Sequence, residues 1–194
     1  MKNNEIFAKE GMQKVLDAEK DSAEVMMNSI YRDLHPKTLI DIGCGPAHFA
    51  NEVKLLGGKN IEVTAVDIEE SAREFVGEGV NFKIVDLSEP MLVEEKSDVV
   101  ICFEVVEHID EKHEFILCEN LVKNVGKYLV VTIAQPHQKD PGHINLKEPI
   151  HWINKFEKLG LTVNVELTKK WINEWLNTKK VENYFTYNLL VFEK

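Results

Sequence analysis

Two spacings of apolar residues divide this chain. In residues 5–34, Val15, Ala18, Ser22, Val25, Met26, Ser29 and Ile30 recur at helical intervals with proline absent. This predicts one or two helices ending before Pro36, since a proline drives the preceding residue out of the helical region. Beyond Pro36, short apolar runs alternate with helical stretches. Strands are expected at Thr38–Ile42, Ile61–Val66, Asn81–Val85, Asp98–Phe103, Tyr128–Ala134, Leu161–Leu167 and Tyr187–Glu193. Helices are expected at Pro46–Leu56, Glu69–Val76, Glu111–Asn124, Pro149–Lys158 and, more weakly patterned, Lys169–Leu176. Strands separated by helices predict an α/β fold: a mainly parallel sheet with helices on both faces. The last two strands, joined by one polar segment, predict an antiparallel edge. The long irregular stretch Gln135–Glu148 follows a strand, so it should lie along the C-terminal edge of the sheet, where open α/β folds bind ligands.

Length and charge narrow the picture. The 194 residues suffice for one domain, 1–194, with 1–35 as a helical cap and 36–194 as the core. No apolar run approaches the roughly 20 residues of a membrane helix, and the N-terminus is polar, so a cytoplasmic location is expected. The net charge is -10, and nearly all of it sits in residues 1–100, where 11 basic side chains face 20 acidic ones. That argues against nucleic acid as partner, because a phosphate backbone needs clustered Lys and Arg. Cys44, Cys102 and Cys118 are odd in number and lack a CxxC spacing, so reduced thiols are expected.

The chemistry concentrates in "LIDIGCGPAHFA", Leu39–Ala50. A strand runs into Asp41, then a turn with Gly43 and Gly45, then a helix with Pro46 in its first turn. Glycines there let a ligand approach the backbone. A dinucleotide turn would place a third glycine at position 48, which is His48. Asp41 at the strand's end suits an ammonium group better than a phosphate. Asp67 closes "VTAVD" and can accept both hydroxyls of a ribose, and Asp86 in "NFKIVDL" can accept from an adenine amino group with Leu87 beside the ring. Helix capping explains a single such acid, but three in succession after apolar strands are harder to explain that way.

The order DIGCG, VTAVD, IVDLS and "DVVICFEVVEHI" resembles the class I S-adenosylmethionine-dependent methyltransferases over about residues 36–135. The resemblance implies a Rossmann-like seven-stranded sheet whose last strand is antiparallel. It implies S-adenosylmethionine as cofactor and S-adenosylhomocysteine as product. Asp41, Gly43 and Gly45 would line the methionine part, Asp67 the ribose, and Asp86 with Leu87 the adenine. Cys44, Ile68 and Phe103 join them as cofactor-lining positions. Ala47 stands where many members carry another glycine.

The methyl acceptor is less legible. In "CFEVVEHID", Glu104, Glu107 and His108 share one face of a helical turn, and "QPHQKDPGHINL" brings His137 and His143 along the same sheet edge. His143 and His108 are candidate bases, with Glu104 as the third catalytic candidate. Two Glu and two His could also hold a divalent cation such as Mg²⁺, and similar Glu-x-x-Glu-His runs occur in metal-dependent O-methyltransferases. The preferred reading assigns no metal: Glu107 and His108 open a helix and steady the pocket. Met26, Met27 and Tyr31 are candidates for a lid over the cofactor. Trp171 and Trp175 form either a sugar or partner platform or a packed face flanked by lysines. His35, His48, His113 and His151 receive no role. The resulting expectation is O-methylation of a small molecule, for which a glycan or natural product is a candidate. The alternatives are metal-dependent 2′-O-methylation of RNA and a non-catalytic cofactor-binding scaffold.

Overall fold

The computed structural model describes residues 9–93 and 95–194. Part of the expected first helix, residues 5–8, lies outside that range. A single long helix, α1 (Lys9–Leu34), fills the remainder. It is followed by β1 (Thr38–Ile42), α2 (His48–Gly57), β2 (Glu62–Asp67), β3 (Val80–Ile84), β4 (Ser97–Phe103), α3 (Glu114–Asn124) and β5 (Val125–Thr132). The chain ends with α4 (Pro149–Lys158), β6 (Thr162–Val163), α5 (Val165–Thr178), α6 (Asn183–Asn188) and β7 (Leu189–Glu193).

The seven strands form one sheet in the order β3-β2-β1-β4-β5-β7-β6. β1 to β5 pair in parallel, and β7 runs antiparallel between β5 and β6. The order reverses between β1 and β4, and ligands bind at such a switch point beyond the strands' C-terminal ends. Both sheet faces are buried, which is why β1 and β4 read as nearly continuous apolar runs. Leu39, Val63, Val99 and Ile101 point to one layer with Met26, Met27, Ile30 and Phe49. Ile40, Ile42, Val100 and Cys102 point to the other with Leu117, Leu121, Trp152 and Phe156. No described helix is long and apolar enough to cross a membrane.

Several expectations need correcting. Residues Glu70–Phe75 form 3-10 turns and not an α-helix, burying only Ala72. β6 has two residues, not seven, because Asn164 stops it: the Asn164 side chain accepts from the Leu167 N–H at 2.9 Å and caps α5. Tyr187 and Asn188 close α6 rather than begin the last strand. Trp171 and Trp175 are fully buried and stack 6.1 Å apart, so they are core and not a platform. Their indole N–H groups donate to Asp33 and Ser29 of α1, tying α5 to the first helix. Met26 and Met27 are likewise fully buried in the core, while Met12, Val15 and Glu19 of α1 face the ligand cavity.

Candidate functional site

A cavity of about 340 Å³ opens at the switch point. Asp41, Gly43, Cys44, Gly45, Asp67, Ile68, Asp86, Leu87 and Phe103 all line it, as do Glu104 and His108. The volume lies within the range of small-molecule sites. Glu19, His48 and Phe185 also line it, and the sequence pattern singled out none of them for this. Their role depends on contacts between distant segments. His48 Nε2 lies 2.9 Å from Glu19 Oε2, and the Tyr184 hydroxyl donates to Glu19 Oε1 at 2.8 Å.

The glycine turn is shaped by steric need. Gly43 has φ 77°, and a Cβ there would fall 2.5 Å from Val105 Cγ2. Gly45 has φ 49°, with no protein atom within 4 Å of the place a Cβ would take. Ala47 holds φ 53°, a left-handed conformation that costs an L-residue about 1–2 kcal/mol. Asp67 secures the turn from β2: its Oδ2 accepts from the Gly45 N–H at 2.8 Å and its Oδ1 from the Glu69 N–H at 2.9 Å. Each oxygen keeps a lone pair for a further donor. Asp86 is exposed and accepts from the Ser88 N–H and hydroxyl, which hold its carboxyl below the usual range.

Asp41 is the electrostatic anomaly. It is buried, and its Oδ2 has no hydrogen-bond partner among the described residues. Burial first, then the nearby Asp67 charge, push its carboxyl up to about 8, against a small lowering by the Ala50 N–H. Above about pH 4 the unfolded chain has released this proton while the folded chain retains it. Stability therefore falls as pH rises, by about 1.4 kcal/mol per unit for this group, until about pH 8. Asp41→Asn has no proton to lose. Urea unfolding of the cofactor-free protein between pH 5 and 8 should show a shallower decline in the variant. Equal slopes would mean Asp41 is not held protonated.

The second half of the site sits beyond β4. Glu104 holds φ 51°, a strained position that starts the turn carrying Glu107 and His108. Asn188 Nδ2 reaches both Glu104 oxygens, at 3.0 and 3.3 Å. Glu107 is fully buried; its Oε1 accepts from the Ala134 N–H at 3.2 Å and its Oε2 receives no hydrogen bond from the described residues. Burial, then the charge of Glu104, hold Glu107 well above the usual carboxylate range. Burial also raises Glu104 and lowers His108.

The loop 135–148 is stapled against this turn. The Ile144 and Asn145 N–H groups both donate to the Glu107 carbonyl, at 2.9 and 3.0 Å. The Asn145 side chain donates to Glu114, a buried carboxylate also held by Lys155 and His151. The loop thereby brings His143 to His108, with ring centroids 5.0 Å apart. One donor atom each from Glu107, His108 and His143 lie within 4.8 Å of one another. His137 is not in this group; it lines a separate cleft. His108 Nδ1 lies 2.9 Å from the Gly142 carbonyl and His143 Nδ1 lies 2.6 Å from the Gln138 carbonyl. Carbonyls only accept, so each Nδ1 carries the proton, and in a neutral His143 ring Nε2 is then the acceptor nitrogen. Cys44 borders the cavity, and burial holds its thiol, like those of Cys102 and Cys118, above the ordinary value.

Comparison with known proteins follows the same outline. The profile of the methyltransferase domain family matches residues 35–186. The ubiquinone biosynthesis O-methyltransferase of Rickettsia bellii (strain OSU 85-389) is 34% identical over 106 residues, 51% of this chain and 42% of that protein. The chain thus spans less than half the length of that curated relative. Among solved structures, a chain of the complex between the Haloferax volcanii Trm112 methyltransferase activator and a methyltransferase superposes with a TM-score of 0.67. It is 14% identical, covering 97% of this chain and 95% of that one. The magnesium protoporphyrin IX methyltransferase of Synechocystis PCC 6803, crystallised with S-adenosylmethionine, gives a TM-score of 0.64 at 15% identity, covering 94% and 82%. These two likenesses establish the shared fold.

Proposed function

The chain belongs to the class I S-adenosylmethionine-dependent methyltransferase family, and on that premise we propose that it transfers the cofactor's methyl group to a hydroxyl oxygen of a small molecule. The observation that carries this reading is the buried Asp41 carboxyl, whose Oδ2 has no hydrogen-bond partner among the described residues, at a cavity also lined by Gly43 and Gly45. An ammonium group beside it would satisfy that oxygen and favour its ionised form. Gly43 and Gly45 leave room for the methionine chain, the remaining lone pairs of Asp67 suit ribose hydroxyls, and Asp86 with Leu87 flanks the adenine. When bound, the cofactor supplies a methyl group already activated by its sulfonium. The chain's own residues then orient the acceptor, exclude water and take its proton. His143 and His108 are the proposed bases, with Glu104 as the third proposed catalytic residue.

A small molecule is favoured over RNA because no lysine or arginine lines either described cavity. Oxygen is favoured because the curated relatives are O-methyltransferases.

A second reading rests on the convergence of Glu107, His108 and His143. Their donors suit a divalent cation: two imidazoles whose Nδ1 atoms meet carbonyls, and a Glu107 carboxyl that interacts with Glu104 and whose Oε2 receives no hydrogen bond from the described residues. An ion bound there would supply a Lewis acid that acidifies an acceptor hydroxyl.

Incubation with methyl-tritiated S-adenosylmethionine and a panel of hydroxylated small molecules tests the proposal. Label on an acceptor oxygen is the expected result. Label on RNA termini instead, or no transfer to any acceptor despite bound cofactor, would overturn it.

A further inference from the structure

A second cleft, of about 520 Å³, is lined by Gln135, His137, Gln138, Asn183, Tyr184 and Tyr187. Three contacts tie it to the proposed catalytic residues and to the first cavity. The Gln138 carbonyl holds His143 Nδ1. Gln135 and Glu104 both bond the Asn188 side chain, one residue after Tyr187. Tyr184 donates its hydroxyl to Glu19, which lines the cofactor cavity.

The lining is chemically specific. It holds three amides, an imidazole and two phenol rings, with no carboxylate, lysine or arginine. Much of its hydrogen-bonding capacity is unspent. The Gln138 NH₂ and both polar atoms of the Asn183 side chain make no hydrogen bond among the described residues. Gln135 Nε2 and Gln138 Oε1 are used within the protein. The Tyr184 hydroxyl is committed to Glu19, and Tyr187 is 59% exposed. Aromatic faces with amide donors and acceptors recognise a flat or puckered ring bearing hydroxyls. An anionic group would find no lysine or arginine among the lining residues.

We propose that this cleft is the acceptor subsite and that it selects an uncharged, hydroxyl-bearing ring. The inference rests on the methyltransferase reading above and adds the acceptor's place and charge to it. The ring stands on Tyr187, and its hydroxyls bond Gln138 and Asn183. One hydroxyl is thereby presented toward Glu104 and His143.

Saturation-transfer NMR on the protein loaded with S-adenosylhomocysteine tests binding without requiring turnover. The probes are catechol and methyl β-glucoside, each paired with an acidic counterpart, 3,4-dihydroxybenzoate and glucuronate. At least one neutral probe should receive saturation that its acidic counterpart does not, and the pair that responds separates a phenol from a sugar. The Tyr187→Ala,Asn183→Ala double variant should lose the signal, weakening binding about tenfold or more, while S-adenosylhomocysteine affinity by calorimetry stays unchanged. Acidic probes binding as well as neutral ones, no probe binding, or a signal that survives the double variant would overturn the proposal. Failure of the methyltransferase reading looks different: neutral probes would still bind here, yet no label would leave tritiated S-adenosylmethionine.

Discussion

Asp67→Ala is expected to weaken S-adenosylmethionine binding roughly 100-fold or more, read by isothermal calorimetry. The carboxylate lies at the end of β2, buried, with each oxygen already taking one backbone N–H of the turn or its successor. Two ribose hydroxyls would add charge-assisted hydrogen bonds, each worth about 1.5–3 kcal/mol. Removal also frees the Gly45 N–H and loosens the turn under the methionine chain. About 3 kcal/mol in total corresponds to more than two decades of affinity. A thermal melt of the cofactor-free variant separates loss of binding from loss of fold. A folded Asp67→Ala protein with unaltered affinity would take Asp67 out of the cofactor site.

His143→Ala is expected to lower turnover about 10²–10⁴-fold, the range for loss of a general base, while leaving cofactor affinity near that of the unaltered protein. The reason is placement. His143 is not among the residues lining the cofactor cavity, but the loop that carries it is pinned to the Glu107 carbonyl and to Glu114. Its ring meets His108 edge to face. The chelator EDTA separates the two readings of this cluster. If His143 acts as a base, EDTA leaves the rate unchanged and added imidazole restores part of the variant's activity. If Glu107, His108 and His143 hold a cation, EDTA reproduces the variant's defect in the unaltered protein and Mg²⁺ reverses it. Turnover unaffected by His143→Ala would retire the residue from both.

The strands of the central sheet were legible because both faces are covered. Apolar runs such as "DVVICF" have no other low-energy setting in water, and Gly43 and Gly45 mark the break between strand and helix. Errors fell where one local signal competes with another. "LTVNVEL" reads as a strand by β-branched content, but Asn164 offers its side chain to the next helix and ends the strand after Val163. Trp171 and Trp175 show helical spacing that fits a surface platform or a core equally well. Asp33 and Ser29, some 140 residues away in the chain, settle the matter by accepting their indole protons.

By itself, then, the sequence determined the fold family, the glycine turn after β1 and the succession of acids after strands. These depend on short stretches whose backbone conformation and polarity follow from neighbouring residues. Only the tertiary structure decided that Glu19 of α1 meets His48 and Tyr184, and that the loop 135–148 delivers His143 to His108 but leaves His137 in another cleft. It alone showed that one Asp41 oxygen has no hydrogen-bond partner among the described residues. Burial, hydrogen-bond satisfaction and charge proximity are properties of space, and no local spacing along the chain encodes which distant segment supplies the partner.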